Sequence, residues 1–161
     1  MNGVVLMTGA SRGIGAAVAR LAGSRGYAVG VNYRNGAEEA KEVVADIRMA
    51  GSQAVAVEAD VARETEVERL FAAVEAELGP LTALVANAGI TGGMRRVEDI
   101  DEALVEQVLA VNVTGCILCA REAVRRFSTK RGGKGGAIVT VSSIASTLGA
   151  AGEYVHYAAS K

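Results

Sequence analysis

Near one end of this sequence a tyrosine and a lysine stand four residues apart, in Tyr157-Ala158-Ala159-Ser160-Lys161. On a helix that spacing puts phenol and ammonium on one face. A phenol ionises near pH ~10 in water, so proton exchange through it near neutrality needs a positive charge close by. Alone, such a pair is a common surface combination. Near the other end lies a second chemical element, Thr8-Gly9-Ala10-Ser11-Arg12-Gly13-Ile14-Gly15, between the apolar run Val4-Val5-Leu6-Met7 and an apolar-periodic segment. Strand, glycine turn and helix in this order form a dinucleotide fingerprint. Gly9, Gly13 and Gly15 allow a tight turn, close approach to a pyrophosphate and close helix packing, and the helix N-terminus offers free N–H groups to the phosphates.

The elements that must position these groups follow from periodicity and turn chemistry. A strand over 4–8, the glycine loop, a helix over 14–25 ended by Gly26 and a strand Ala28–Tyr33 make one βαβ unit. Asn32-Tyr33-Arg34-Asn35 falls where such a fold selects its ribose. No carboxylate is there to accept from a 2′-hydroxyl, and Arg34 with Arg12 could instead hold a 2′-phosphate, which favours NADP while leaving NAD possible. The alternative is that both are ordinary surface arginines.

A helix Ala37–Met49 follows, then a strand Ala54–Glu58, the pair Asp60-Val61, and a helix Glu64–Leu78 with Val67, Leu70, Phe71 and Val74 as its core stripe. Asp60 fits either a helix cap or a ligand position at a strand's carboxyl end. A strand over 81–85 leads to Asn87-Ala88-Gly89, and a loop over 91–96 precedes a long helical pattern over 101–127. Asn112 interrupts that apolar stripe, as either a hydrogen-bonded core amide or a site residue that bends the helix. The basic, glycine-rich stretch 128–136 has no interleaved aromatics and is expected to be a solvated turn rather than a nucleic-acid patch. A strand over 137–141 ends at Ser142-Ser143. Five strands alternating with four helices, without repeat or linker, predict an α/β fold: an open, doubly wound parallel sheet forming a single domain over 1–161.

Composition narrows the function classes. The chain has 161 residues, 50% hydrophobic and 22% charged with net charge −1, and gives no electrostatic reason to expect nucleic acid or an anionic membrane as partner. No apolar run approaches the ~20 residues of a membrane span, and the first residues read directly as a strand, so a cytoplasmic setting is expected. Cys116 and Cys119 fall within a helical pattern, with His156 the only histidine. They are expected to be packed, apolar-like residues, and no metal site is expected.

Taken in order, these motifs resemble the short-chain dehydrogenase/reductase family over the whole sequence, most closely its glucose-dehydrogenase and carrier-protein-reductase branches through Asn32-Tyr33-Arg34 and Glu153-Tyr154-Val155-His156-Tyr157. Residues 8–15 match the TGxxxGxG cofactor loop, Asp60-Val61 the adenine-binding pair and Asn87-Ala88-Gly89 the turn under the cofactor. Asn112, Ser143, Tyr157 and Lys161 match the catalytic tetrad. The resemblance implies a Rossmann-like fold and hydride transfer between a nicotinamide and a small-molecule carbonyl or alcohol. In it Tyr157 is the general acid/base, Lys161 holds the ribose hydroxyls, Ser143 donates to the reacting oxygen, and Asn112 positions a water linking the lysine to solvent. It further implies a cofactor site of Gly9, Ser11, Arg12, Gly13, Ile14, Gly15, Asn32, Tyr33, Arg34, Asp60, Val61, Asn87, Ala88, Gly89, Tyr157 and Lys161, and a homodimer or homotetramer. His156 is expected at a pocket edge or on the surface.

Three departures from the family pattern stand out. Ala86 replaces a frequent asparagine and Thr82 a frequent aspartate. The sequence also ends at the tetrad lysine, where family chains run to about 250 residues as one domain. The expectation is a C-terminally truncated sheet with an exposed apolar edge, and with it a second reading, a non-catalytic nucleotide-binding or interaction fragment.

Overall fold

Every residue of the first strand is apolar, and in the computed structural model, which describes residues 2–161, both faces of that strand are covered. Strand β1 (Val4–Met7) sends Val4 and Leu6 to one side and Val5 and Met7 to the other. Continuous apolar runs of this kind belong to parallel strands buried on both faces. The chain then alternates: helix α1 (Gly13–Ser24), β2 (Ala28–Tyr33), α2 (Ala37–Met49), β3 (Ala54–Glu58), α3 (Glu64–Leu78), β4 (Leu81–Ala86), α4 (Glu102–Leu109), α5 (Cys116–Phe127) and β5 (Ala137–Thr140). Two short helices close the described chain, α6 (Ala145–Leu148) and α7 (Val155–Ala159).

All strand pairs are parallel, in the order β3-β2-β1-β4-β5. The winding reverses between β1 and β4, and a crevice opens at the carboxyl ends of these two strands. Helices α1 and α2 cover one face around Val29, Val31, Val43 and Ile47; α3 and α5 cover the other around Leu6, Phe71, Leu84 and Phe127. The expected doubly wound, Rossmann-like α/β sheet is the observed one. Thr82 has its own use at the β1–β4 seam. Its hydroxyl accepts from Val4 N and donates to Val4 O, both at 3.1 Å, where the register between the strands shifts.

Two expectations need correction. The helix expected over 101–127 is continuous from Glu102 to Phe127 but not regular, because Ala110–Gly115 widens into a π-helical segment between α4 and α5. Nor is it true that no segment is long and apolar enough to cross a bilayer. This 26-residue helix reaches a mean hydropathy of 1.8. It is nonetheless a core helix, since Val108, Val111, Cys119, Ala123 and Phe127 are buried. It also carries the buried Glu122 among three arginines, with Nη1 of Arg125 at 2.6 Å and of Arg126 at 2.7 Å. At the far edge of the sheet, all four residues of β5 are exposed.

Candidate active site

The glycine loop and the Asn87 turn are interlocked across the crevice. Thr8 is buried, and its hydroxyl oxygen accepts from the backbone N–H groups of Asn87 and Ala88, both at 3.0 Å. Asn87 returns the contact, its Nδ2 donating to Thr8 O at 2.9 Å and Gly9 O at 3.0 Å. The backbones approach so closely that a Cβ on Gly9 would lie 2.8 Å from Ala88 Cα, and one on Gly15 would lie 2.6 Å from Asn87 Nδ2. Gly13 meets nothing within 4 Å but has φ +57°, so it serves the turn rather than the packing. Helix α1 starts here without a side-chain cap and without an acidic residue in its first turn. Its leading N–H groups are left for an anion.

These elements wall a cleft of about 330 Å³. Of the residues expected to hold a cofactor, Gly9, Ser11, Arg12, Ile14, Gly15, Asn32, Tyr33, Arg34, Asp60, Val61, Asn87, Ala88 and Gly89 line it; Gly13, Tyr157 and Lys161 do not. Lys161 is nonetheless adjacent, its Nζ 3.5 Å from where a Cβ on Gly89 would sit. Asn35, from the stretch expected to select the ribose, lines the cleft as well, and sequence reasoning missed Ala59, Ile90 and Val111, which complete the lining. These three are apolar residues whose side-chain types carry no binding signal, and only the fold brings them here.

Two cofactor-site expectations change in character. Asn32 is buried with its amide turned into the protein, Oδ1 accepting from Gly9 N at 3.2 Å and Nδ2 donating to Ala59 O at 3.0 Å. It pins the glycine loop to the ends of β2 and β3 and has little left to offer a ligand. Of the two roles left open for Asp60, the helix cap is not the observed one: the residue before α3 is Arg63, which caps it without a side-chain bond, and Asp60 instead holds the preceding turn at the edge of the cleft. Its Oδ1 accepts from Ala62 N at 3.0 Å in the turn before α3, while Oδ2 lies 3.3 Å from Arg34 Nε at the cleft. Among the described residues no such ion pair involves Arg12, which is exposed.

The four tetrad-like residues come from separate elements. Asn112, 7% exposed, lies in the π-helical segment; its Oδ1 accepts from Ile90 N at 2.8 Å and its Nδ2 donates to Ile90 O at 2.9 Å and Ser160 Oγ at 2.7 Å. The expectation of a water held by Asn112 is thereby narrowed: both amide protons are donated within the protein. Ser143 follows β5, and its Oγ accepts from Ala145 N at 3.2 Å, so its own proton is free. Tyr157 lies on α7, with the Lys161 Nζ 5.9 Å from the centre of its ring. Helix α7 ends at Ala159, yet Lys161 stays on the tyrosine's side because Ser160 N donates to Tyr157 O and Lys161 N to Ala158 O. The Lys161 ammonium donates to Val141 O at 2.7 Å and so ties this turn to the end of β5.

His156 departs from expectation. It is buried rather than at a surface or pocket edge, and neither ring nitrogen has a partner within the described residues. It packs beneath Gly92 beside Leu104 and Val108. The loop holding Gly92 is clipped to the segment before α7 by Arg95 N donating to Glu153 O at 2.8 Å.

The two cysteines are free. Burial, followed by the neighbouring Cys116 and Glu122, pushes the Cys119 thiol up to about 12. A thiol so held stays protonated and is a packing group, not a nucleophile. Among the described residues, no three His, Cys, Asp or Glu side chains converge as a metal site would require.

Comparison with known proteins agrees with this geometry. A family model described as short chain dehydrogenase matches residues 3–161. The chain is 49% identical over 158 residues to the uncharacterized oxidoreductase YgfF of Escherichia coli K12, covering 98% of this chain and 64% of that one. It is 40% identical over 156 residues to the cis-4-hydroxycyclohexanecarboxylate dehydrogenase of Sinomonas cyclohexanicum, covering 97% and 61%. Among solved structures, an NADH-dependent reductase, A1-R′, complexed with NAD superposes with a TM-score of 0.89 at 28% identity, over 99% of this chain and 67% of that one. A doubly substituted Serratia marcescens short-chain dehydrogenase/reductase superposes with a TM-score of 0.90 at 29% identity, over 100% and 63%. The chain thus spans less than two thirds of the length of the curated relatives it matches.

Proposed function

The chain belongs to the short-chain dehydrogenase family, and from that premise we propose that it is the dinucleotide-binding and catalytic part of an NADP-dependent oxidoreductase acting on a carbonyl or secondary alcohol. One observation carries this reading. The Lys161 ammonium, 5.9 Å from the centre of the Tyr157 ring, is tied to the end of β5 and lies beside Gly89 of the glycine-lined crevice.

The residues present fit a dinucleotide. The cradle that side chains on Gly9 and Gly15 would fill, with the uncapped start of α1, would hold the pyrophosphate. Arg34 and Arg12 would hold a 2′-phosphate. When bound, the nicotinamide supplies or accepts the hydride. The protein's share is proton handling and orientation. Tyr157 gives its hydroxyl proton to the carbonyl oxygen in reduction and takes one from the alcohol in oxidation. Lys161 places a positive charge beside that phenol, and Ser143 turns its free proton toward the reacting oxygen. Asn112 braces the backbone at Ile90, under the floor of the crevice.

Residues 1–161 read as one domain, since both apolar clusters share a single sheet. The exposed Leu109, Ile117 and Val124 on α4 and α5 support a homodimer or homotetramer through that face. Free thiols accord with a reducing, cytoplasmic setting. A second reading, dinucleotide binding without turnover, is favoured for the 161 residues on their own by the exposure of all four β5 residues and of Ile144 and Leu148.

The test pairs cofactor binding with turnover. With NADPH and a panel of ketones and aldehydes, the protein is expected to bind the cofactor and consume it with at least one carbonyl. Tyr157→Phe is expected to keep binding and lose turnover. Equal loss of both in that variant, or a wild-type protein that consumes NADPH with no carbonyl, would overturn the catalytic reading.

A further inference from the structure

Between Asn112 and the tyrosine's helix lies a hydroxyl that belongs to none of the matched motifs. Ser160 is 8% exposed. Its Oγ accepts from Asn112 Nδ2 at 2.7 Å and donates to Tyr157 O at 2.7 Å. A serine hydroxyl has one proton to give, and here it goes to the tyrosine's own carbonyl.

The orientation of the whole chain of bonds is fixed by its first link. Ile90 N can only donate, so the Asn112 atom facing it at 2.8 Å is Oδ1. The amide nitrogen then has two acceptors, Ile90 O and Ser160 Oγ. Donation therefore runs one way, from Asn112 to Ser160 to the backbone of Tyr157. Ser160 also donates its N–H to Tyr157 O at 2.9 Å, so that carbonyl receives two bonds from one residue.

We propose that Ser160 is a positioning residue for the proton-transfer step: its hydroxyl couples the Asn112 brace under the crevice floor to the α7 turn that carries Tyr157 and Lys161. This rests on the oxidoreductase reading of the site. The π-helical segment makes the coupling geometrically possible, because Asn112 projects from it toward both Ile90 and Ser160. Wide turns of this kind inside α-helices frequently occur at functional sites. Through Ser160, the cofactor-facing turn 88–90 and the phenol share one hydrogen-bonded frame. Proton transfer needs the donor oxygen set to within a fraction of an ångström, and a misplacement of about 1 Å lowers rates by about 100-fold. Alanine at Ser160 removes the link without adding bulk. The fold is expected to persist, and the α7 turn to lose its reference to Asn112.

The experiment is Ser160→Ala in the full protein, read in three ways. First, kcat for carbonyl reduction is expected to fall on the order of 10–100-fold, while the NADPH dissociation constant stays within about twofold of wild type. Second, exchange of the Asn112 side-chain amide protons in the cofactor-free protein, followed by NMR, is expected to accelerate roughly tenfold. Third, Ser160→Ala combined with Asn112→Ala is expected to be no slower than Asn112→Ala alone, because the two act as one unit. Unchanged kcat in Ser160→Ala, parallel loss of NADPH binding and kcat, or additive effects in the double variant would each overturn the proposal while leaving the oxidoreductase reading intact. A wild-type protein inert toward every carbonyl would overturn that reading and this proposal together, whatever the amide exchange shows.

Discussion

The hydroxyl of Thr8 accepts the backbone N–H of Asn87 at 3.0 Å, and the side chain of Asn87 donates back to the carbonyl of Thr8 at 2.9 Å. With Ala88 N bonded to the same hydroxyl, this reciprocal pair clamps the two turns that line the crevice, at the carboxyl ends of β1 and β4. Thr8 N also donates to Val85 O at 3.1 Å, so the end of the β1–β4 ladder and this side-chain pair together hold the two turns at a fixed separation.

Thr8→Val keeps the shape and removes the acceptor. Two backbone N–H groups then lose their partner, at a cost of about 1–3 kcal/mol each where they are buried. The expected outcome is destabilisation by about 2–4 kcal/mol in denaturant melts, with weaker NADPH binding in the fraction that remains folded. A melt within about 0.5 kcal/mol of wild type would show that the clamp is dispensable.

Arg34 sits at the mouth of the crevice with Nε 3.3 Å from Asp60 Oδ2. If it holds a 2′-phosphate, Arg34→Ala should weaken NADPH binding by roughly 10–100-fold, the worth of hydrogen bonds to a charged group. NADH, which lacks that phosphate, should bind as before. Isothermal titration with both cofactors decides the matter, and equal weakening of both would reject the NADP preference.

Glu122 carries the main pH dependence of the α5 face. Burial acts to push its carboxyl up, but hydrogen bonds from Arg126 and Arg125, with their charges, outweigh it and leave the group below its ordinary value of 4.5. A carboxyl lowered by folding binds fewer protons in the folded than in the unfolded state. Its stabilisation is therefore complete above about pH 4.5 and is lost as pH falls through the lower, folded value. Acid titration of wild type and Glu122→Gln should show the wild type's advantage shrinking below that point. A constant difference down to acid pH would contradict the assignment.

Cys119 works in the opposite sense. Its thiol is raised from 9.0 to about 12, so the folded state keeps a proton that the unfolded chain releases. The corresponding stability is present below about pH 9 and is lost progressively as pH rises toward 12. Cys119→Ala should lessen this alkaline loss, and iodoacetamide should leave Cys119 unmodified at pH ~8 until the protein is unfolded. Rapid native alkylation at Cys119, read by peptide mass, would contradict this.

By itself the sequence determined the order and type of the strands and major helices and the doubly wound class. Local physics suffices for these. A run as short as Val4-Val5-Leu6-Met7, followed at once by glycine turn chemistry, fits a strand buried on both faces, and the stripe Val67, Leu70, Phe71, Val74 fits one buried face of a helix. The crevice was legible for a similar reason. Glycines and turn residues at strand ends announce a backbone that must bend, and in a parallel sheet those ends share one edge. Most of the residues named for the crevice from sequence do line it.

Tertiary structure alone decided how the side chains are used. Asn32 and Asn87 are amides at strand ends in both views, but only the fold shows their hydrogen bonds turned inward to the glycine loop. The break in the apolar stripe at Asn112 marked the place but not the form of the π-helical segment at Ala110–Gly115, because that segment is stabilised by contacts such as Asn112 to Ile90 that span 22 residues. His156 could be read as a surface residue until the packing of Gly92, Leu104 and Val108 over it was seen. Ser160 carried no signal as one more small residue between a tyrosine and a lysine. Its partner Asn112 is 48 residues away, and a hydrogen bond across that distance depends on where the chain returns, not on local propensity.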